Sequence, residues 1–151
     1  MLKAYRILAT IIAIDVVIQA MAMVFAIAGL TIWVSDGGTL DKAALEDQDL
    51  DFTGVVGFPV HFINGTMVIP LLGLALLIVS FFAKVPGGLK WAAIVLGAIV
   101  VQVLLGLFSH ESAYFGLIHG LNAFLLLGSA IYAARLARTA ETTTASTPVA
   151  A

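Results

Sequence analysis

Cysteine does not occur among the 151 residues, so disulfides, thiolate metal centres, iron–sulfur clusters and cysteine nucleophiles are all excluded. Charge is nearly as scarce: Asp, Glu, Lys and Arg make up 11% of the chain against 62% hydrophobic residues, and the mean hydropathy is +1.12. That balance lies far outside the range of a soluble domain. The few Lys and Arg are scattered, leaving no basic patch for a nucleic acid. There is no Ser/His/Asp arrangement, phosphate-binding glycine loop or zinc-ligand spacing. Histidine is the strongest ligand type left, and the chain has three.

Four long apolar runs are present instead, at about 6–34, 55–83, 91–108 and 112–134. Each is close to or above the roughly 20 residues that cross a ~30 Å hydrocarbon core. Backbone polar groups cannot stay unpaired in lipid, so the runs predict helices. The expected fold is an all-α, multi-pass four-helix bundle in the cell membrane, one domain over 1–138. An acidic loop at 35–54 and a disordered cytoplasmic tail at 139–151, TAETTTASTPVAA, complete the chain. Lys3 and Arg6 precede the first run, Lys84 and Lys90 join the second to the third, and Arg135 and Arg138 follow the fourth. Basic residues are retained on the cytoplasmic side, which predicts both N- and C-terminus inside and the acidic loop outside. Ala20-Met21-Ala22 mimics a signal-peptide cleavage site, yet the apolar run continues to Val34 with Asp15 in its middle, so a membrane span is expected.

Polar side chains in hydrocarbon usually face a partner, a cavity or a cofactor. They are few: Asp15, Gln19, His61, Asn64, Gln102, His119 and Asn122. At a rise of ~1.5 Å per residue, His61 lies about 9 Å and His119 about 10 Å from the outer end of its span. Gln19 and Gln102 fall in the same outer third, so four helices contribute to one polar layer. The spacing H-x-x-N occurs twice, as His61–Asn64 and His119–Asn122, and residues three apart share a helix face. Gly65, Gly116 and Gly120 lie near the two histidines, and such glycines leave room for a neighbouring helix or the flat face of a macrocycle.

Two neutral imidazoles facing each other across a bundle suit the axial positions of a haem iron. His61 and His119 are the expected metal ligands, with Asn64 and Asn122 holding the imidazoles or meeting the porphyrin edge. The plain alternative is that the histidines bond only to each other, to a glutamine or to water. Asp15, with Gln19 one turn on, is either a proton-relay step or cofactor contact, or a protonated packing residue. His110 and Glu111 fall in a turn where a solvated histidine is the default. Pro70, inside the second run, is expected to kink its helix by freeing the carbonyl of Thr66.

At these residues the chain resembles one half of haem A synthase, a cytochrome oxidase assembly family built from two similar four-helix units. The likeness is carried by His61 in HFING, His119 in LIHGLN and the stretch VVQVLLGLFSH with Gln102 and Gly106, and it covers spans two to four, about half the chain. Small four-span membrane proteins with the same histidine arrangement are similar too. The resemblance implies a histidine on the second and fourth helices facing a haem. It also shows departures: that family's first unit carries a carboxylate one turn before its second-helix histidine, where this chain has Gly57, and commonly an arginine after it, where this chain has Phe62. The resemblance therefore implies a haem-holding scaffold rather than a stand-alone enzyme, with a homodimer or a respiratory-chain partner completing any two-unit arrangement. The expected function is haem b binding through two histidines, for electron transfer or haem handling in a respiratory membrane. The alternatives are a cofactor-free structural or accessory protein whose polar layer fixes helix packing, and a quinone or small-molecule site in the same layer.

Overall fold

The computed structural model describes residues 1–47 and 50–145. Its elements are α1 (Leu2–Ser35), α2 (Lys42–Asp47), α3 (Gly57–Ile63), a π turn (Asn64–Val68), α4 (Ile69–Ala83), α5 (Gly88–Leu107) and α6 (Ala113–Ala145). The segment from α3 through α4 is one continuous helical rod, so four helices are long and apolar enough to cross a membrane. Their large apolar side chains point outward: Leu117 is 70% exposed, Phe124 74% and Phe82 65%. In water that surface would be a severe liability, whereas in a bilayer it is the solvated face. The chain is a multi-pass, all-α membrane bundle.

The rods alternate in direction. Lys3, Arg6, Lys84, Lys90, Arg135 and Arg138 therefore share one end, the basic end, and the described residues of 36–56 lie at the other, the acidic end. Lys84 closes α4 in a left-handed conformation (φ 53°), and Pro86 follows, where a helix cannot continue. Two findings correct the expectations at the chain's margins. The 35–54 segment is not all loop, since α2 forms there with Asp41 Oδ1 accepting from the Ala44 amide at 2.9 Å. The tail is not disordered from Thr139: α6 runs on to Ala145, held by the ion pair of Arg6 with Glu141 at 3.1 Å and by Thr142 and Thr143 hydroxyls that bond back to Thr139. Residues 146–151 of that tail, and Gln48 and Asp49 of the acidic loop, lie outside the described residues.

The main buried apolar cluster lies in the basic half, with only Ala26 and Phe52 buried beyond the polar layer among the described hydrophobic residues. Tyr5, Ala9, Ile12, Ala13 and Val16 of α1 meet Ile69 and Leu76 of α4, Ala92, Val95 and Ile99 of α5, and Leu126, Ala130, Ala133 and Ala137 of α6. The alanines let the helix backbones approach closely, which is the main source of packing energy where lipid competes for every apolar contact. Tyr5 is wholly buried and donates its hydroxyl to the Gly88 carbonyl at 2.8 Å, tying the start of α1 to the start of α5. No member of this core lies on the acidic side of Gln19, Asn64, Gln102 or Asn122.

Packing changes character toward the acidic end. There α3 lies on α1 and has no comparable packing against α5 or α6. The α1–α3 contact is backbone to backbone, since a Cβ at Gly57 would stand 2.2 Å from the Ala22 carbonyl oxygen, and the turn before α3 is as close, with a Cβ at Gly29 1.7 Å from the Thr53 carbonyl oxygen. Phe52, with its ring 6.0 Å from that of Trp33 and 6.3 Å from that of Phe58, seals the seam.

Candidate functional site

Where the apolar core stops, the polar layer begins. His61 comes from α3 and His119 from α6, and their ring centroids are 6.0 Å apart with planes inclined by 60°. Each ring is half-buried. The structure thus brings the two histidines together across the part of the bundle where α3 and α6 are otherwise apart.

Both imidazoles are oriented by backbone carbonyls of a neighbouring helix. His119 Nδ1 lies 3.0 Å from the Gln102 carbonyl oxygen of α5. A carbonyl only accepts, so in the neutral ring this nitrogen carries the proton and the Nε2 lone pair is left free. His61 Nδ1 lies 3.2 Å from the Gln19 carbonyl oxygen of α1, an acceptor of the same kind. Among the described residues the asparagines hydrogen-bond to neighbouring helices rather than to the rings. Asn122 donates to the Ala98 carbonyl at 2.9 Å and to Gln102 Oε1 at 2.7 Å, and Asn64 donates to Asp15 Oδ1 at 2.6 Å. They clamp helix pairs, and Asn122 steadies the same Gln102 that orients His119.

Gln19 has a role the sequence did not reveal. With its carboxamide turned to satisfy its surroundings, Nε2 donates to the His61 carbonyl at 3.1 Å while Oε1 accepts from the Gly65 amide at 2.6 Å and from Asn64 Nδ2 at 3.3 Å. A regular α-helix would pair that carbonyl and that amide with each other, four residues apart. The Gln19 side chain is inserted between them at the start of the π turn, and an inserted side chain is one of the established causes of such a local widening. The expected disturbance near Pro70 is therefore a wide turn over Asn64–Val68, and Thr66 uses its hydroxyl to bond the Phe62 carbonyl at 2.7 Å. In this orientation Gln19 Nε2 is also 2.8 Å from His61 Nδ1. The carbonyl and the amide of one residue thus offer His61 Nδ1 an acceptor and a donor, whereas His119 Nδ1 meets an acceptor alone.

The glycines sort differently from their order in the sequence. Gly65 faces Gln19, with its missing Cβ 3.3 Å from the carboxamide. Beside His119 the space is made by Gly106 of α5, where a Cβ would lie 3.1 Å from Cε1 and 3.2 Å from Nδ1 of the ring. Gly116 is only in ordinary contact with Ser109, and Gly120 faces open space, so neither makes room for the imidazole. The signal for Gly106 was its position one turn after Gln102, in the stretch that carries the family resemblance. Asp15 is buried, with Oδ1 bonded to Asn64 and Oδ2 lacking a partner among the described residues. His110 forms an exposed pair with Glu111 at 3.3 Å, well away from the layer.

Gly57 and Phe62, singled out in the sequence, each have a structural setting that resists a charged side chain. Gly57 is pressed on the Ala22 backbone and admits no side chain, and Phe62 is 59% exposed toward lipid, where an arginine would be costly. Comparison of the chain with protein-family models, with curated proteins and with solved structures gives no match.

Proposed function

We infer that this bundle binds one haem b through His61 and His119, and that it serves electron transfer or haem handling in a respiratory membrane, with the acidic end outside. The observation that carries this reading is the end of the apolar core at the polar layer, beyond which two imidazoles face each other at 6.0 Å between helices that do not otherwise pack. Two imidazoles on opposite sides of one metal, each bound at ~2.0 Å through nitrogen with roughly 1.2 Å more to its ring centre, would have centres about 6.4 Å apart. The observed separation fits that requirement. The carbonyl acceptor at His119 Nδ1 fits it as well, since a ligating imidazole almost always donates its other nitrogen to such a group, and the Gln19 carbonyl offers His61 Nδ1 the same acceptor in competition with the donor of the Gln19 carboxamide. Gly106 supplies the clearance that keeps the His119 ring free to turn its Nε2 outward from α5.

Haem bound in this way supplies a one-electron carrier. The residues' part is to hold two neutral imidazoles at fixed height and to keep them oriented. With Gly57 and Phe62 where haem A synthase-like units carry a carboxylate and an arginine, the reading is of a scaffold rather than of an enzyme that modifies the haem. A second reading, a cofactor-free protein whose polar layer fixes packing, is favoured by the interhelical bonds of Asn64 and Asn122.

The two readings separate on a reduced-minus-oxidised difference spectrum of the protein purified in mild detergent. Haem binding gives a sharp b-type alpha band that is lost in both His61→Ala and His119→Ala. A colourless, well-folded protein from haem-replete cells would overturn the proposal and leave the packing reading.

A further inference from the structure

At the basic end, a cleft of about 470 Å³ opens between α1 and α6. Its size is in the range of small-molecule sites. Arg6 of α1 and Arg135 and Arg138 of α6 stand around its membrane-surface end, and Ile7, Ile11 and Ile131 line it toward the hydrocarbon. Arg6 is paired with Glu141 at 3.1 Å. Arg135 and Arg138 have no ion pair among the described residues, and their spacing of three places both on the same side of α6. The cleft's net charge is therefore positive with Glu141 counted, and its polarity is graded along the helix axes. From Arg6 to Ala13, its limits on α1, the distance is roughly 10 Å at ~1.5 Å per residue. That is about the reach from a phosphate group to the upper part of an acyl chain.

We propose that this cleft is a binding site for an anionic phospholipid, its phosphate held by Arg6, Arg135 and Arg138 and one acyl chain lying along Ile7, Ile11 and Ile131. Arginine suits the task because its planar fork offers several donors to phosphate oxygens and sheds water more readily than an ammonium. Basic recesses between transmembrane helices are a recurrent setting for such headgroups. The apolar wall distinguishes this place from the exposed Lys84 and Lys90 of the α4–α5 turn at the same end, which do not line the cleft. The site is independent of the histidine layer, which lies in the other half of the bundle.

Native mass spectrometry of the full chain from mixed micelles, with phosphatidylglycerol or phosphatidylcholine added, tests this directly. The wild type should retain phosphatidylglycerol preferentially, one per chain, and Arg135→Gln/Arg138→Gln should reduce the preference roughly 30-fold. Lys84→Gln/Lys90→Gln should keep it. Ile11→Trp, which fills the apolar wall without altering charge, should also lower retention, and inorganic phosphate at millimolar concentration should not displace the lipid. Equal loss in the two double variants would reduce the effect to surface charge and overturn the site. So would unchanged retention in Arg135→Gln/Arg138→Gln or in Ile11→Trp, or displacement by inorganic phosphate.

Discussion

Replacing Gly57 with alanine adds one methyl group at the tightest point between α1 and α3, and the structure sets the size of the effect. The new Cβ would stand 2.2 Å from the Ala22 carbonyl oxygen, where ordinary contact begins at 3.4 Å, so 3.4 − 2.2 = 1.2 Å must be found. Neither partner can rotate aside, because the oxygen belongs to the α1 backbone and the methyl group to the α3 backbone. The helix α3 must retreat. His61 is one turn further along the same helix, and a rigid shift of that size would carry its Nδ1 from 3.2 Å to as much as 3.2 + 1.2 = 4.4 Å from the Gln19 carbonyl, beyond hydrogen-bonding reach. Overpacking of a well-packed seam costs about 1–3 kcal/mol, and the lost hydrogen bond about 0.5–1.5 kcal/mol. Gly57→Ala should therefore be destabilised by about 2–4 kcal/mol in a denaturing-detergent titration followed by circular dichroism. Gly97→Ala and Gly128→Ala provide the comparison. A Cβ at either meets nothing within 4 Å, and each removes a flexible residue from a helix, so they should be neutral or stabilised by up to about 1 kcal/mol. Equal stability of Gly57→Ala and Gly97→Ala would refute the close-contact account of the α1–α3 seam. Gly57→Glu, which places a longer, charged side chain at the same contact, should be worse than alanine for the same reason.

Two further substitutions probe the layer itself. Gln19→Leu removes the carboxamide from between the His61 carbonyl and the Gly65 amide, leaving the carbonyl with the Asn64 amide and the Gly65 amide without its side-chain acceptor. The variant should lose about 1–3 kcal/mol in the same titration and show faster amide exchange at Gly65, and unchanged exchange there would speak against the insertion. Asn122→Ala removes two bonds between α5 and α6, at 2.9 and 2.7 Å. Interhelical bonds of this kind average ~0.6 kcal/mol each, so a loss of roughly 1–2 kcal/mol is expected, and a loss below the resolution of the titration would show that Gln102 and Ala98 find other partners.

The four spans were legible because lipid imposes a single requirement, an apolar run of sufficient length without unpaired backbone, and composition meets it openly. The ends of the rods were less so. Thr139 to Ala145 reads as small and polar, and only the three-dimensional arrangement, which sets Glu141 beside Arg6, supplies a reason for α6 to continue. The juxtaposition of His61 and His119 was legible for a geometric reason: depth follows from counting residues, and both rings count to the same height. Azimuth does not follow from counting. Which glycine faces an imidazole depends on the rotation of each helix about its axis, so Gly116 and Gly120, neighbours in sequence, yield to Gly106, a neighbour in space. The side-chain insertion of Gln19 was illegible for the same reason, since it depends on a partner helix at a particular height and angle.

The internal repeat extends further than the paired H-x-x-N spacing. In each hairpin a glutamine carbonyl lies at the histidine Nδ1, Gln19 for His61 and Gln102 for His119, and the asparagine three residues after the histidine reaches the position four residues before that glutamine. In the second hairpin this position is Ala98, and its backbone carbonyl accepts the bond. In the first it is Asp15, and a side-chain oxygen accepts it instead. A carboxyl group is therefore not needed to hold an asparagine at that place, because an alanine holds Asn122 equally well through its backbone. The Oδ2 of Asp15 is fully buried and without a hydrogen-bond partner among the described residues, and helix packing does not explain it. The two hairpins build nearly the same cradle for their histidines, and Asp15 is where they differ in chemistry rather than in form.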